Sequence, residues 1–189
     1  MDTADGVARP AASAARPAMS PLPGDGDGGR QFLRLALGND MYAVGIDSVR
    51  EILEIAHITP LPLMPSFVRG VMNLRGAVVP VIDLSARLGM APAVVARRSC
   101  VVMVDVRAAD ATASTLGMLV DAVYEVFDAG ADEQEAPPRL GTRIDPGFIR
   151  SMVRLRGKPT PELHLDTLLD ASTLANLIAS ATAASMSTH

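Results

Sequence analysis

Tryptophan is absent from this chain of 189 residues, and aromatic residues make up only 3% of it. Proteins that grip single-stranded nucleic acid stack bases on exposed aromatic rings beside cationic groups, and this composition excludes such a surface. Cationic clusters are equally scarce. No run of Lys or Arg is longer than the pair Arg97-Arg98, and the formal net charge is −4. Neither nucleic acid nor an anionic membrane surface is therefore expected as a partner. Cysteine occurs once, at Cys100, inside the apolar run Cys-Val-Val-Met-Val. A lone thiol forms no intrachain disulfide, which fits a reducing compartment, and its apolar setting favours an inert side chain over a nucleophile. Apolar runs stay far below the ~20 residues that cross a bilayer. No apolar segment follows Met1 as a secretory signal requires. The expectation is a soluble cytoplasmic protein with no direct membrane insertion.

Aliphatic residues are what the chain has in quantity. Hydrophobic residues reach 49%, enough for a sizeable core in one domain or in two small halves that share it. Residues 1–29 stand apart. They are mostly Ala, Pro, Gly, Asp and Ser, and end in Gly24-Asp-Gly-Asp-Gly-Gly29. Such a segment buries too little to offset the entropy of ordering, so a disordered tail is expected. Asp25 and Asp27 alternate with glycine as in a calcium loop, but the later ligands are missing and a linker is the better reading.

Strand patterns follow. Leu33, Leu35 and Leu37 alternate with Arg34, giving a half-buried strand over Gln31–Leu37. Gly38 to Asp40 is a turn, and Met41–Ile46 and Val49–Ile55 are strands broken at Asp47-Ser48. Pro60, Pro62 and Pro65 forbid a strand or helix interior between Thr59 and Pro65. A hairpin occupies Pro65–Leu84, with Arg75-Gly76 at its corner, because glycine tolerates the positive φ that tight turns need. Ser85–Leu88 makes a helical turn stopped by Gly89. Ser99–Val106 reads as a strand, and Leu116–Phe127 as a long strand broken at Asp121. Ala129–Gly141 is a loop, and Phe148–Leu155 and Leu163–Leu165 are strands. A helix is expected from Asp166 to about Ala183, with Leu168, Leu169 and Leu174 at helical spacing.

The chain contains a near-copy of itself. Pro65-Ser-Phe-Val-Arg-Gly-Val-Met-Asn-Leu-Arg-Gly76 lies over Pro146-Gly-Phe-Ile-Arg-Ser-Met-Val-Arg-Leu-Arg-Gly157 with six of twelve positions identical. Pro80 matches Pro161 at the same offset of 81, while Ile46–Ile52 lies over Val120–Val126 at an offset of 74. The difference falls in the loop Ala129–Gly141, where insertions are tolerated. Two small all-β subdomains of one design are expected, each with about five antiparallel strands closed into a barrel to remove exposed edges. The second copy reads Lys158-Pro-Thr-Pro-Glu162 where the first is apolar. Proline removes ladder donors, so a short or irregular strand is expected there.

Catalytic sets do not assemble from the sequence. Ser85, His57 and Asp83 lack a nucleophile elbow. His57, His164 and His189 have no metal-ligand spacing with one another or with Cys100. There is no dinucleotide or P-loop motif. Glu51 and Glu125 are repeat-equivalent acids, but equivalence does not bring them together.

The stretch Phe67-Val-Arg-Gly-Val-Met-Asn-Leu-Arg-Gly-Ala-Val-Val-Pro-Val-Ile-Asp-Leu84 resembles the signature of the CheW family of chemotaxis coupling proteins. Gln31-Phe-Leu, Tyr42-Ala-Val-Gly-Ile-Asp47 and Leu116–Val126 are similar to that family's strands in order and spacing. The resemblance covers residues 31 to about 170. It implies two five-stranded β-barrel subdomains over residues 30–172, a C-terminal helix and frayed tail over 173–189, no cofactor and no enzymatic activity. It implies an adaptor between the cytoplasmic tip of methyl-accepting chemoreceptors and the regulatory domain of a CheA-type histidine kinase, at arrays beneath the inner membrane. The positions matching functional family positions are Val49, Glu51, Gly70, Asn73, Arg75, Val123 and Val126.

Each of these has a second reading. The valines serve a receptor groove or simply pack. Gly70 relieves a crowded turn, and Asn73 satisfies turn backbone. Glu51 is a partner contact or a solvated strand residue. Arg75 offers a planar fork to a partner carboxylate, or pairs with Glu51 itself. A non-flagellar chemosensory scaffold is the rival within the class. An enzyme with a polar pocket between the barrels is the rival outside it.

Overall fold

The computed structural model describes residues 29–186 apart from 109, 140 and 142. The tail expected over residues 1–29 lies, Gly29 excepted, outside the described residues. Each stretch that alternates in the sequence becomes a strand. The hairpin β1 (Arg30–Leu37) and β2 (Asp40–Gly45) leads into β3 (Val49–Glu54). The central hairpin is β4 (Val68–Leu74) and β5 (Ala77–Asp83), followed by the helical turn α1 (Leu84–Arg87). The second half repeats this order. Hairpin β6 (Cys100–Arg107) and β7 (Ala113–Val120) leads into β8 (Ala122–Ala129), then the short β9 (Gln134–Glu135) and hairpin β10 (Ile149–Leu155) and β11 (Lys158–Leu163). Helices α2 (Leu165–Leu168) and α3 (Ala171–Met186) end the described chain.

The strands form two sheets, ordered β8-β1-β2-β11-β10-β9 and β3-β6-β7-β5-β4. The two copies are not separate halves, as the repeat alone suggested. The β1–β2 hairpin of the first copy joins β8, β10 and β11 of the second, and the β6–β7 hairpin of the second joins β3, β4 and β5 of the first. The copies exchange hairpins, so each sheet contains strands of both. The crossings fall at the two sequence breaks. Ile46–Ser48 forms a single 3-10 turn between β2 and β3, and Asp121 separates β7 from β8. The expected long strand over Leu116–Phe127 is therefore two strands in different sheets. Asp121 is pinned at its crossing, its backbone N–H donating to Ala36 O at 3.1 Å and its carboxylate accepting from Gly38 N.

Exchange also changes strand direction. Most neighbours are antiparallel, as expected, but β5 runs parallel to β7 and β11 parallel to β2. The registers Val81↔Gly117 and Glu162↔Ala43 are the same pairing at the repeat offsets. A small residue stands at both, and a Cβ on Gly117 would lie 3.5 Å from Pro80 O and 2.8 Å from a Val101 methyl.

Barrel closure is the second correction. The ladders leave both sheets open, with β3 and β4 at the edges of one and β8 and β9 at the edges of the other. Each sheet nevertheless covers both faces. Leu33, Leu35, Val102, Val104, Leu116 and Met118 meet in a large core shared by the sheets. On its other face the five-stranded sheet curls over Met72, Val79, Val81, Val101, Met103 and Leu119. The six-stranded sheet curls over Phe32, Ala43, Phe127, Ala129 and Val153.

The proline-rich stretch Lys158–Glu162 is a regular strand, contrary to expectation. It pairs with β10 from Leu155↔Lys158 to Ser151↔Glu162. A two-residue corner makes its first flanking pair a hydrogen-bonded one, and alternation then puts Pro159 and Pro161 at pairs that exchange no backbone bonds. Their missing N–H groups face β2, where the ladder is a single register pair. The expected continuous C-terminal helix is also interrupted. Asp170 accepts from Ser172 N at 3.1 Å, Thr173 N at 3.3 Å and Thr173 Oγ1 at 2.8 Å, and so caps a new helix after α2.

Candidate functional site: the ion-paired hairpin corners

Arg75 and Gly76 both have positive φ, 51° and 85°. This is the left-handed corner whose twist matches the flanking strands. Asn73 Oδ1 accepts from Gly76 N at 3.0 Å and closes the turn. The corner aims Arg75 sideways at β3. Its Nη1 donates to Glu51 Oε1 at 2.9 Å and its Nη2 to Oε2 at 3.1 Å. The hydrogen bond and charge of Glu51 push the guanidinium pKa above its ordinary value. The arginine side chain still exposes 72% of its surface, against 30% for Glu51. One face of the guanidinium is committed to the acid, and the rest faces solvent.

The second copy builds the same device on the repeat-equivalent acid and adds a second arginine to it. Arg156 and Gly157 have φ of 50° and 78°. Arg156 Nη2 lies 3.4 Å from Glu125 Oε2, and Arg34 Nη1 donates to Glu125 Oε1 at 3.0 Å. One acid thus holds two arginines. Arg154, which replaces Asn73, turns away to Glu135 at 2.7 Å.

The other sequence candidates separate in space. Gly70 has φ 139°, and a Cβ there would lie 2.1 Å from Thr59 O. It sits where β4 bulges between Val68 and Gly70 and the passage at Thr59 crosses, tied by Thr59 N to Val71 O at 2.8 Å and Val71 N to Thr59 O at 2.9 Å. Only glycine allows that approach. Val49 and Val123 are half-buried against the shared core. Val126 is 42% exposed, and the bulge that pairs Leu33 with Val126 and Leu35 with Val123 turns it to the same face of β8 as Val123. Val49 stands on β3 of the five-stranded sheet, and Val123 and Val126 on β8 of the six-stranded one. Ile52, at the position equivalent to Val126, is 43% exposed.

The structural roles of four polar groups were not legible in the sequence. Asp83 is wholly buried, accepting from Ala86 N at 3.1 Å and Ala93 N at 2.8 Å and pairing with Arg69 Nε at 3.3 Å. It is the cap of α1, and none of these bonds goes to His57 or Ser85. His164, its repeat equivalent, caps α2 by accepting from Thr167 N at 3.2 Å. Glu162 is 1% exposed, held by Arg30 at 2.9 and 3.2 Å and by Ser151 Oγ at 2.6 Å. The first copy has Val81 at this position. Arg87 lies between the repeat-equivalent rings Phe67 and Phe148, 4.9 Å from each, and donates Nε to Leu168 O at 2.7 Å. It links the two copies at their junction.

Glu51 and Glu125 belong to different sheets, each pairing with its own arginines, and do not form a carboxylate pair. Among the described residues no group of three His, Cys, Asp or Glu is placed to hold a metal ion. None of the described helices is long and apolar enough to cross a membrane. The ion pairs of each corner stay within one sheet and hold its strands to one another.

The chain belongs to the CheW-like family. Residues 31–173 match the family described as CheW-like domain, a family of scaffold and adaptor proteins rather than enzymes. Over 142 residues the chain is 32% identical to the chemotaxis protein CheW of Rhizobium meliloti strain 1021, covering 75% of this chain and 88% of the relative. It is 33% identical over 141 residues to the probable chemotaxis protein CheW of Rhizobium etli, with the same coverage, 75% and 88%. In three dimensions it superposes on the scaffolding protein TtCheW of Thermoanaerobacter tengcongensis with a TM-score of 0.68 and 29% identity, covering 75% of this chain and 92% of that one.

Proposed function

We propose that this chain is a cytoplasmic coupling adaptor of a chemosensory array, joining the cytoplasmic tips of methyl-accepting chemoreceptors to the regulatory domain of a CheA-type histidine kinase. The observation that carries the reading is the Arg75–Glu51 corner. It is a charged feature on the surface, with an arginine side chain still 72% exposed after pairing. A planar fork fixed in place loses little freedom when it meets a partner carboxylate. Asn73 and Gly70 set the shape of this hairpin, and Val49 lies beside Glu51 on β3. On the second copy, Val123 and the exposed Val126 flank Glu125 on β8. Partner contact is asymmetric in this reading. The first corner binds, while the second, with Glu125 shared by Arg34 and Arg156, completes the fold. The relatives named as chemotaxis and scaffolding proteins support the same assignment.

The test is co-purification with the cognate kinase and receptor fragments. Arg75→Ala is expected to keep the fold, read by circular dichroism, and to reduce recovery of the complex. Complex formation at the unaltered level would remove Arg75 from the interface.

A further inference from the structure

The mouth of the six-stranded sheet holds a cavity of about 640 Å³, bounded by the start of β2, the corner of β10–β11 and residues 143–144. That volume lies within the range of small-molecule sites. Four cations line it: Arg34, Arg143, Arg156 and Lys158. Two acids oppose them, Asp40 in the lining and Glu125, which pairs with Arg34 and Arg156. Arg143 and Lys158 form no ion pair among the described residues. The walls between the cations are apolar, from Tyr42, Ile149, Leu155 and Pro159.

The repeat shows that the fold does not require these cations. At the offset of 81, Ala77 stands in place of Lys158 and Pro62 in place of Arg143. Both therefore belong to the second mouth alone. From this we infer that the cavity is a binding site for a small phosphate monoester carried on an apolar or planar body. The lining leaves an excess of two positive charges. Phosphate monoesters carry about −1.5 to −2 at neutral pH, whereas a single carboxylate would leave one cation unmatched. Arg143 and Lys158 would hold the phosphate, and the proline and tyrosine walls would take the body. Such a site gives the scaffold an input independent of its protein partners.

Phenyl phosphate is the probe, titrated into the full chain with amide-resolved NMR. Phenol and inorganic phosphate supply body without charge and charge without body. Saturable shifts are expected at Tyr42, Leu155 and Lys158, at least about tenfold tighter than for either fragment. Charge-assisted hydrogen bonds are worth a factor of about ten or more each, so Arg143→Ala with Lys158→Ala should weaken binding at least tenfold. Lys158→Ala alone, which installs the residue of the first hairpin, serves if the pair fails to fold. Arg50→Ala, at the Asp105 ion pair on the other sheet, should change nothing. The proposal is overturned if inorganic phosphate binds as tightly as phenyl phosphate, if the probe does not saturate these signals, or if the cavity variants bind unchanged.

Discussion

Arg75 and Glu51 meet through two nitrogen–oxygen contacts, 2.9 and 3.1 Å long, and so join the hairpin at one edge of the five-stranded sheet to the strand at its other edge. The backbone ladders do not close this sheet. A side-chain pair spans the opening instead. If geometry rather than charge alone matters to the partner, exchanging the groups is informative. Arg75→Glu is expected to abolish kinase co-purification by setting two acids against each other. Adding Glu51→Arg should restore the curl of the sheet, but not the outward guanidinium at the corner. Chemical-shift recovery without recovery of the complex is the expected result.

Gly70 should tolerate no side chain. Its φ of 139° and the 2.1 Å approach of a Cβ to Thr59 O set backbone against backbone. Gly70→Ala is expected to cost about 3 kcal/mol of stability, read from urea midpoints. A change below about 0.5 kcal/mol would show that the crossing at Thr59 yields.

The Arg30–Glu162 pair lies in the curled face of the six-stranded sheet, where the first copy has an apolar residue. Arg30→Met alone should cost about 3 kcal/mol, because it strands a buried carboxylate. Adding Glu162→Val, the residue at the equivalent position 81, should recover most of that loss. Denaturant unfolding of the two single variants and the double variant measures the coupling.

Hairpin exchange predicts how fragments behave. Residues 30–95 and 96–186, expressed separately, should each remain largely unfolded. Each would lack the hairpin that its sheet takes from the other half. Mixed or co-expressed, they should assemble and regain near-native circular dichroism. Two independently folded halves would contradict the exchange.

Alkaline pH should weaken the fold. Burial raises the Cys100 thiol above 9.0 and the Tyr42 phenol above 10.0, so each keeps its proton in the folded state beyond the point where the unfolded chain loses it. Above pH 9 the unfolded state binds fewer protons, and stability falls as pH rises. Urea midpoints measured from pH 8 to 11 should decline, and Cys100→Ala should remove the part of the decline that starts near pH 9.

The corners were legible because their chemistry is local. Asn73, Arg75 and Gly76 fall within one turn, and positive φ at Gly76 follows from residue type. The alternation around Glu51 placed it on β3 and suggested the pairing with Arg75. The buried acids were not legible. Glu162 follows two prolines and a lysine, as a solvated edge would, and its partner Arg30 lies 132 positions away. Nothing near Asp83 in sequence announces that Arg69 and the backbone of Ala93 converge on it. The faces of the valines were not legible either: strict alternation would set Val123 and Val126, three apart, on opposite faces, whereas the bulge opposite Arg34 puts them on the same one.

By itself, then, the sequence determined the strands, the two glycine corners and the existence of two copies, because period, turn chemistry and repetition act over a few residues. Only the tertiary structure decided which hairpin joins which sheet. In a repeat the swapped and unswapped arrangements offer each strand nearly the same neighbours, so local pattern cannot separate them. The choice falls to the crossings at Ile46–Ser48 and Asp121 and to the core that both sheets share.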